Sequence, residues 1–151
     1  MEIGDVVPDF NADSSDGTFS LGVHRGKKVV VYFYPKDQTP GCIKEACAFR
    51  DLKAEFAEAD AVIVGVSKDS LKSHANFITK QSLNFELISD PEKVVHDVFG
   101  TWVEKKNYGR TYMGTQRSTF LIDAEGLLAQ EWRNVRVKGH VDKVLDATKA
   151  L

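Results

Sequence analysis

Short, almost wholly apolar runs alternate along this chain with stretches in which apolar residues return every three or four positions. Lys28-Val29-Val30-Val31-Tyr32-Phe33-Tyr34 is β-branched and aromatic, and Pro35 stops it. Lacking polar alternation, it predicts a central strand buried on both faces. Ala61-Val62-Ile63-Val64-Gly65-Val66 predicts a second strand of the same kind. Apolar segments at 119–122 and 127–132 flank Asp123-Ala124-Glu125-Gly126 and read as a hairpin around a turn. Residues 6–20, holding Pro8 and Gly17, read as a short N-terminal β excursion.

Helical spacing fills the gaps. From about residue 40 to 58, Ile43, Ala46, Phe49, Leu52 and Phe56 form one apolar stripe. Asp69 is expected to cap a second helix carrying Leu71, Ala75 and Ile78. Asp90 is expected to cap a third, with Pro91 at its first position, Val94, Val95 and Val98 inside, and Gly100 just past its end. Val141, Val144, Leu145 and Thr148 outline a C-terminal helix. This order predicts an α/β fold, a central mixed β-sheet flanked by helices on both faces. The stretch 100–116, with Trp102, Tyr108, Tyr112 and Met113, reads as a partly packed surface loop or as the wall of an access path.

Composition narrows the function. At 151 residues, with 42% hydrophobic and 28% charged positions, the chain fits one domain spanning 1–151. Twenty basic against 22 acidic residues leave a net charge of −2 and no basic stripe, which argues against a nucleic-acid partner. No apolar run reaches the roughly 18 residues of a membrane span. The acidic start Met1-Glu2-Ile3-Gly4-Asp5 has no signal-peptide pattern, so a cytoplasmic location is expected. His24, His74, His96 and His140 are scattered and share no metal-ligand spacing with the cysteines, so neither a metal nor a cofactor is expected.

The two cysteines lie five positions apart, too few for a disulfide framework and suggestive of redox or metal chemistry in a cytosolic chain. Cys42 falls in the first turn of the predicted 40–58 helix, behind Pro40, where free N–H groups and the helix dipole favour a negative group. Thiols at helix N-termini are more acidic than ordinary ones, so position nominates Cys42 as a nucleophile, against the reading of a small buried hydrophobe. Cys47 sits in the same helix, and five residues place the Cα atoms roughly 8–9 Å apart. Disulfides need less than about 7 Å, so a Cys42–Cys47 bond requires the first turns to unwind. Packing of Cys47 beside Ala46 and Phe49 is the competing reading.

The stretch Pro35-x-x-x-Thr39-x-x-Cys42 resembles the peroxiredoxin active-site pattern, and Cys42 with Cys47 matches the Cys-x4-Cys spacing of the peroxiredoxin Q, or bacterioferritin comigratory protein, subfamily. The resemblance extends over nearly the whole chain, through Tyr32-Phe33-Tyr34-Pro35-Lys36-Asp37, Glu45-Ala46, Phe49-Arg50-Asp51, Ser89-Asp90 and the stretch from Arg117 to Asp123. Ile43 departs from it, since the family usually has Thr beside the peroxidatic cysteine.

The resemblance implies a thioredoxin-like fold and a thiol-dependent peroxidase acting on hydrogen peroxide and alkyl hydroperoxides. Cys42 would be the peroxidatic residue, passing through a sulfenic acid. Cys47 would resolve that acid into an intramolecular disulfide, reopened by thioredoxin or a similar dithiol. Thr39 would orient the peroxide, or simply cap the helix. Arg117 would pair with the thiolate, or be a surface arginine at a strand end. Pro35, Pro40 and Gly41 would shape the loop. Glu45 has two readings, the hydrogen-bonding periphery of the site or a solvated helix face. Members of that subfamily are often monomers, with the resolving cysteine in the same chain, so the resemblance implies a monomer, with a dimer as the alternative. The alternatives are a thioredoxin-like disulfide exchanger, which usually carries Cys-x-x-Cys, and a metal-binding protein of the same fold, which needs thiolates that converge. A purely structural domain would leave Thr39, Cys42 and Arg117 as coincidence.

Overall fold

The computed structural model describes residues 1–151. Nine strands and four α-helices follow one another as β1 (Asn11–Ser14), β2 (Gly17–Ser20), β3 (Lys28–Phe33), α1 (Pro40–Glu58), β4 (Ala61–Ser67), α2 (Leu71–Gln81), β5 (Glu86–Ser89), α3 (Val94–Phe99), β6 (Trp102–Asn107), β7 (Arg110–Thr115), β8 (Ser118–Ile122), β9 (Leu128–Trp132) and α4 (His140–Lys149). Seven strands form one mixed sheet in the order β2-β1-β5-β4-β3-β8-β9. Its centre is parallel, β3 against β4 and β4 against β5, while β8 and β9 run antiparallel to their neighbours.

Alternation along the central strands divides the core in two. Val30, Tyr32, Ile63, Leu87 and Leu121 point to the side covered by α1, α2 and α4, where Cys42, Ala46, Phe49, Phe56, Phe77, Val141 and Val144 meet them. Val29, Val31, Phe33, Val64, Val66 and Phe120 point to the other side, against Val95 and Phe99 of α3 and Val7, Phe10 and Phe19 of the N-terminal segment. Both faces of β3 are therefore covered, as its unbroken apolar sequence requires. Gly65 pairs with Tyr32, and a Cβ there would stand 2.8 Å from Leu87 Cδ2 and 3.0 Å from the Tyr32 ring. The glycine leaves the space in which the Tyr32 ring lies.

Three expectations are corrected. The N-cap of α2 is Ser70, whose hydroxyl accepts from the Ser73 N–H at 3.1 Å, while Asp69 turns back to Ser67 and to the N–H of Asp37. The third helix begins at Val94 rather than at Pro91. Its N-cap is Lys93, at φ 62° and without a side-chain capping bond; Asp90 instead reaches across the intervening turn to accept from the Val95 and His96 N–H groups at 3.2 and 2.8 Å. Residues 100–116 contain no long loop; they form an antiparallel two-stranded hairpin, β6 with β7. Its turn residues Tyr108 and Gly109 both have positive φ, 50° and 76°, the backbone of tight hairpin turns. Most of its strand residues are solvent-facing, so the period-two apolar signal that betrays half-buried strands is missing.

Candidate active site

The end of β3 and the start of α1 meet where a parallel strand delivers its C-terminal edge, a common location for ligand sites in α/β sheets. Pro35 follows the strand and is half-buried, and Gln38 takes a left-handed φ of 66° as the loop turns into the helix. Pro40 occupies the first helical position, and the first helical bond joins the Ile43 N–H to the Thr39 carbonyl at 2.8 Å. The N–H groups of Gly41 and Cys42 consequently lie before the helical ladder begins.

Cys42 is 1% exposed, with its thiol beneath the guanidinium of Arg117. Arg117 arrives from the link between β7 and β8 and donates through Nη2 to Cys42 Sγ at 3.4 Å. Its Nη1 donates to Glu45 Oε1 at 2.7 Å. A Cβ at Gly41 would stand 3.4 Å from Arg117 Nη2, so the glycine lets the guanidinium pass close to the helix start. Arg117 is thus no surface arginine. Glu45, one turn on from Cys42 and on the same face, is wholly buried rather than solvated. Burial pushes its carboxyl up to about 7, against the downward pull of Arg117. Burial also weighs against the Arg117 charge, but Glu45 and Cys42 outweigh it and hold the guanidinium above its usual range.

Thr39 occupies the N-cap position without a capping bond; its hydroxyl donates to the Lys36 carbonyl at 3.1 Å, which corrects the simple capping reading. Cys47 is half-buried on another side of α1, with Sγ 3.8 Å from Gln81 Oε1. Both cysteines are free thiols and α1 is continuous through them. The structure therefore gathers Gly41, Cys42, Glu45 and Arg117 in one cluster, keeps Pro35 and Thr39 in the adjoining loop and Pro40 at the first helical position, and holds Cys47 apart.

Sequence reasoning missed a buried network that anchors this loop. Asp37 accepts from the Tyr34 hydroxyl at 2.6 Å and from Ser73 at 2.8 Å, and pairs with His74 Nδ1 at 2.7 Å. The other nitrogen of His74 meets the Ile88 carbonyl at 2.8 Å. These partners are separated by up to 37 positions, so no local spacing marks them.

Residues 3–131 match the AhpC/TSA family, and the chain belongs to it. Peroxiredoxin Bcp of Bacillus subtilis is 51% identical over 150 residues, covering 99% of this chain and 96% of that one. Among solved structures, peroxiredoxin Q of Xanthomonas campestris superposes with a TM-score of 0.92 at 45% identity, covering 99% of this chain and 96% of that one. A second structure of the Xanthomonas protein, described for its alkyl peroxide reduction activity, gives a TM-score of 0.92 at 44% identity over the same shares. The fold is accordingly the thioredoxin-like one of peroxiredoxins, and the chain is a thiol peroxidase of the Bcp, or peroxiredoxin Q, type.

Proposed function

We propose that this chain reduces hydrogen peroxide and alkyl hydroperoxides through a sulfenic acid on Cys42 and an intramolecular disulfide to Cys47. The carrying observation is the buried Cys42 thiol held by Arg117, itself fixed by Glu45, in the first turn of α1. The Cys42 thiolate attacks the terminal peroxide oxygen; an S–O bond forms, the O–O bond breaks, and water or alcohol leaves once its oxygen gains a proton. Arg117 is placed to meet negative charge on the sulfur and on the departing oxygen, a preorganised arrangement of the kind that supplies most electrostatic catalysis. The N–H groups of Gly41 and Cys42 and the hydroxyl of Thr39 orient the peroxide, and Pro35 and Pro40 fix the loop that presents them.

Cys47 then displaces water from the sulfenic acid, and thioredoxin or a similar dithiol reopens the disulfide by exchange. Resolution within one chain needs no partner, which supports a monomer acting as one domain. No helix is long and apolar enough to cross a membrane. A cycle that depends on dithiol reduction suits the cytoplasm. The test is one equivalent of hydrogen peroxide added to the reduced protein, with rapid quench and peptide mapping. A Cys42–Cys47 crosslink formed at the rate of peroxide loss is expected; peroxide loss without that crosslink would remove Cys47 from its role.

A further inference from the structure

Beneath Cys42, acidic groups outnumber the cations available to neutralise them. Glu45 is 0% exposed and Tyr32 1% exposed. Glu45 Oε1 rests on Arg117, but Glu45 Oε2 and the Tyr32 hydroxyl have no hydrogen-bond partner in the protein. Arg117 reaches Cys42 Sγ with its remaining terminal nitrogen, so one guanidinium is the direct partner of two groups that can each become an anion. A second anion would be a buried charge without a hydrogen-bonded cation of its own, and no anion at all would strand the guanidinium. Either is costly in a site of low polarity.

We propose that Cys42 and Glu45 share a single negative charge through Arg117: Glu45 holds a proton while Cys42 is a thiolate and gives it up as Cys42 becomes a sulfenic acid. This rests on Cys42 being the residue that peroxide oxidises. The step balances. The thiolate forms a bond to the terminal OH of the peroxide, sulfur is oxidised and the peroxide reduced by two electrons, and an alkoxide or hydroxide departs. That anion takes a proton, and Glu45 releases one, directly or by way of solvent. Before the step the charges are Cys42 thiolate and Arg117 cation with neutral Glu45. After it they are Glu45 carboxylate and Arg117 cation with neutral Cys42. The buried site stays at net zero throughout, and the leaving group is protonated with no net proton taken from the medium.

The neighbouring groups leave this role to Glu45. Around it stand Cys42 on its own helix, Tyr32 of β3 and Arg117; Arg117 acts in turn on His140 of α4 and on Lys105 of β6, which Cys42 also reaches. Burial, with Glu45 and Cys42 adding to it, keeps the Tyr32 hydroxyl well above its usual range, so it stays protonated near neutral pH. His140, lowered to about 4 by burial with Lys143 and Arg117 adding, stays neutral there. Lys105 only adds to the cationic side. Glu45, raised to about 7 mainly by burial, holds or releases its proton in the working range.

The experiment uses the full chain carrying Cys47→Ser, which keeps the sulfenic acid from being resolved, in buffer slightly below neutral. Infrared difference spectra are taken on adding one equivalent of hydrogen peroxide, with the mass of the Cys42 peptide and proton exchange with a pH indicator followed in parallel. One carboxylic-acid carbonyl band is expected to vanish for each Cys42 oxidised, with no proton taken from the buffer. Adding Glu45→Gln should abolish the band change and draw one proton from the buffer per sulfenic acid. Glu45→Asp, which keeps a carboxyl, should restore the band change. The rate of Cys42 oxidation should bend near pH 7 in the parent and not in Glu45→Gln. A constant carboxyl band while Cys42 gains oxygen, or equal proton uptake in parent and Glu45→Gln, overturns the proposal. Absence of oxygen on Cys42 would overturn the peroxidatic assignment as well, and the peptide mass tells the two failures apart.

Discussion

Arg117 spans two interactions that one point charge cannot make together, a 3.4 Å bond to Cys42 Sγ and a 2.7 Å bond to Glu45 Oε1. A lysine keeps the charge but loses the fork, and such exchanges are not conservative where two groups are held at once. Arg117→Lys is therefore expected to slow peroxide reduction by about 10²–10³-fold, the usual effect of removing one preorganised donor. Stopped-flow rates with hydrogen peroxide check this, and a loss of only a few-fold would show that charge alone suffices. Arg117→Met goes further and leaves Glu45 buried without its partner. Breaking a buried pair often costs about 3–5 kcal/mol. Here the cost should sit toward the low end or below it, because burial already pushes Glu45 up to about 7 and the orphaned acid can stay protonated. Urea unfolding at neutral pH measures it. Cys42→Ser should abolish turnover, and a tenth of the wild-type rate surviving would sink the nucleophile assignment.

Helix α1 carries both cysteines, and its two ends are held differently. At its start, Pro40 is exposed and Thr39 makes no capping bond, so the first turns are held by the Cys42 and Glu45 side chains on Arg117 rather than by a cap. From Arg50 on, the helix is clamped to the end of α2 and the chain that follows it: Arg50 Nη1 donates to the Gln81 carbonyl at 2.6 Å, and Asn84 Nδ2 returns a bond to the Arg50 carbonyl at 3.2 Å. Lys53 adds a bond to the Asn84 carbonyl, and the rings of Phe49 and Phe56 are fully buried. Unwinding to join Cys42 to Cys47 should therefore stop at this clamp. Hydrogen exchange on the oxidised protein is expected to show amides at 42–48 unprotected and those beyond 52 still protected. Protection retained throughout 42–48 would contradict the unwinding. Arg50→Ala should extend the exposed segment and speed disulfide formation. The 3.6-residue stripe made α1 legible from the sequence, and strand-to-helix position with the Pro-Thr-Cys pattern made Cys42 legible. The clamp was not, because it binds backbone carbonyls 31 positions away. Nor was the burial of Glu45, since a glutamate on an amphipathic helix looks the same whether it meets water or an arginine brought from residue 117. The β6–β7 hairpin hid for a related reason: only Gly114 and Thr115 of its strand residues are buried, so its side chains carry no alternation.

Across the whole molecule, the layers around the sheet bury two titratable groups that push stability in opposite directions with pH. His140 lies under Trp132 with Nε2 at 2.8 Å from Thr119 Oγ1, and burial, then Lys143 and Arg117, lower it from 6.5 to about 4. Between those values the unfolded chain binds a proton there that the folded chain does not, so His140 makes the fold weaker as pH falls from 6.5 toward 4. Glu45 has the reverse sign. Raised from 4.5 to about 7, it is protonated in the fold and ionised in the unfolded chain, so it weakens the fold as pH rises through that interval. The intervals overlap from 4.5 to 6.5, where the two slopes, each at most about 1.4 kcal/mol per pH unit, oppose and largely cancel. Asp90, held below 3.8, loses its contribution only at more acid pH; burial pushes it up, but bonds from the side chain and N–H of His96 and the N–H of Val95 outweigh that. Removing one of the opposed pair should expose the other. Glu45→Gln is expected to become more stable as pH rises between about 5 and 6, and His140→Asn more stable as pH falls over the same range. Urea midpoints at the two pH values decide it. Parallel slopes in the two variants would mean that the protons are held elsewhere, and that the buried charge beneath Cys42 is not balanced through Arg117.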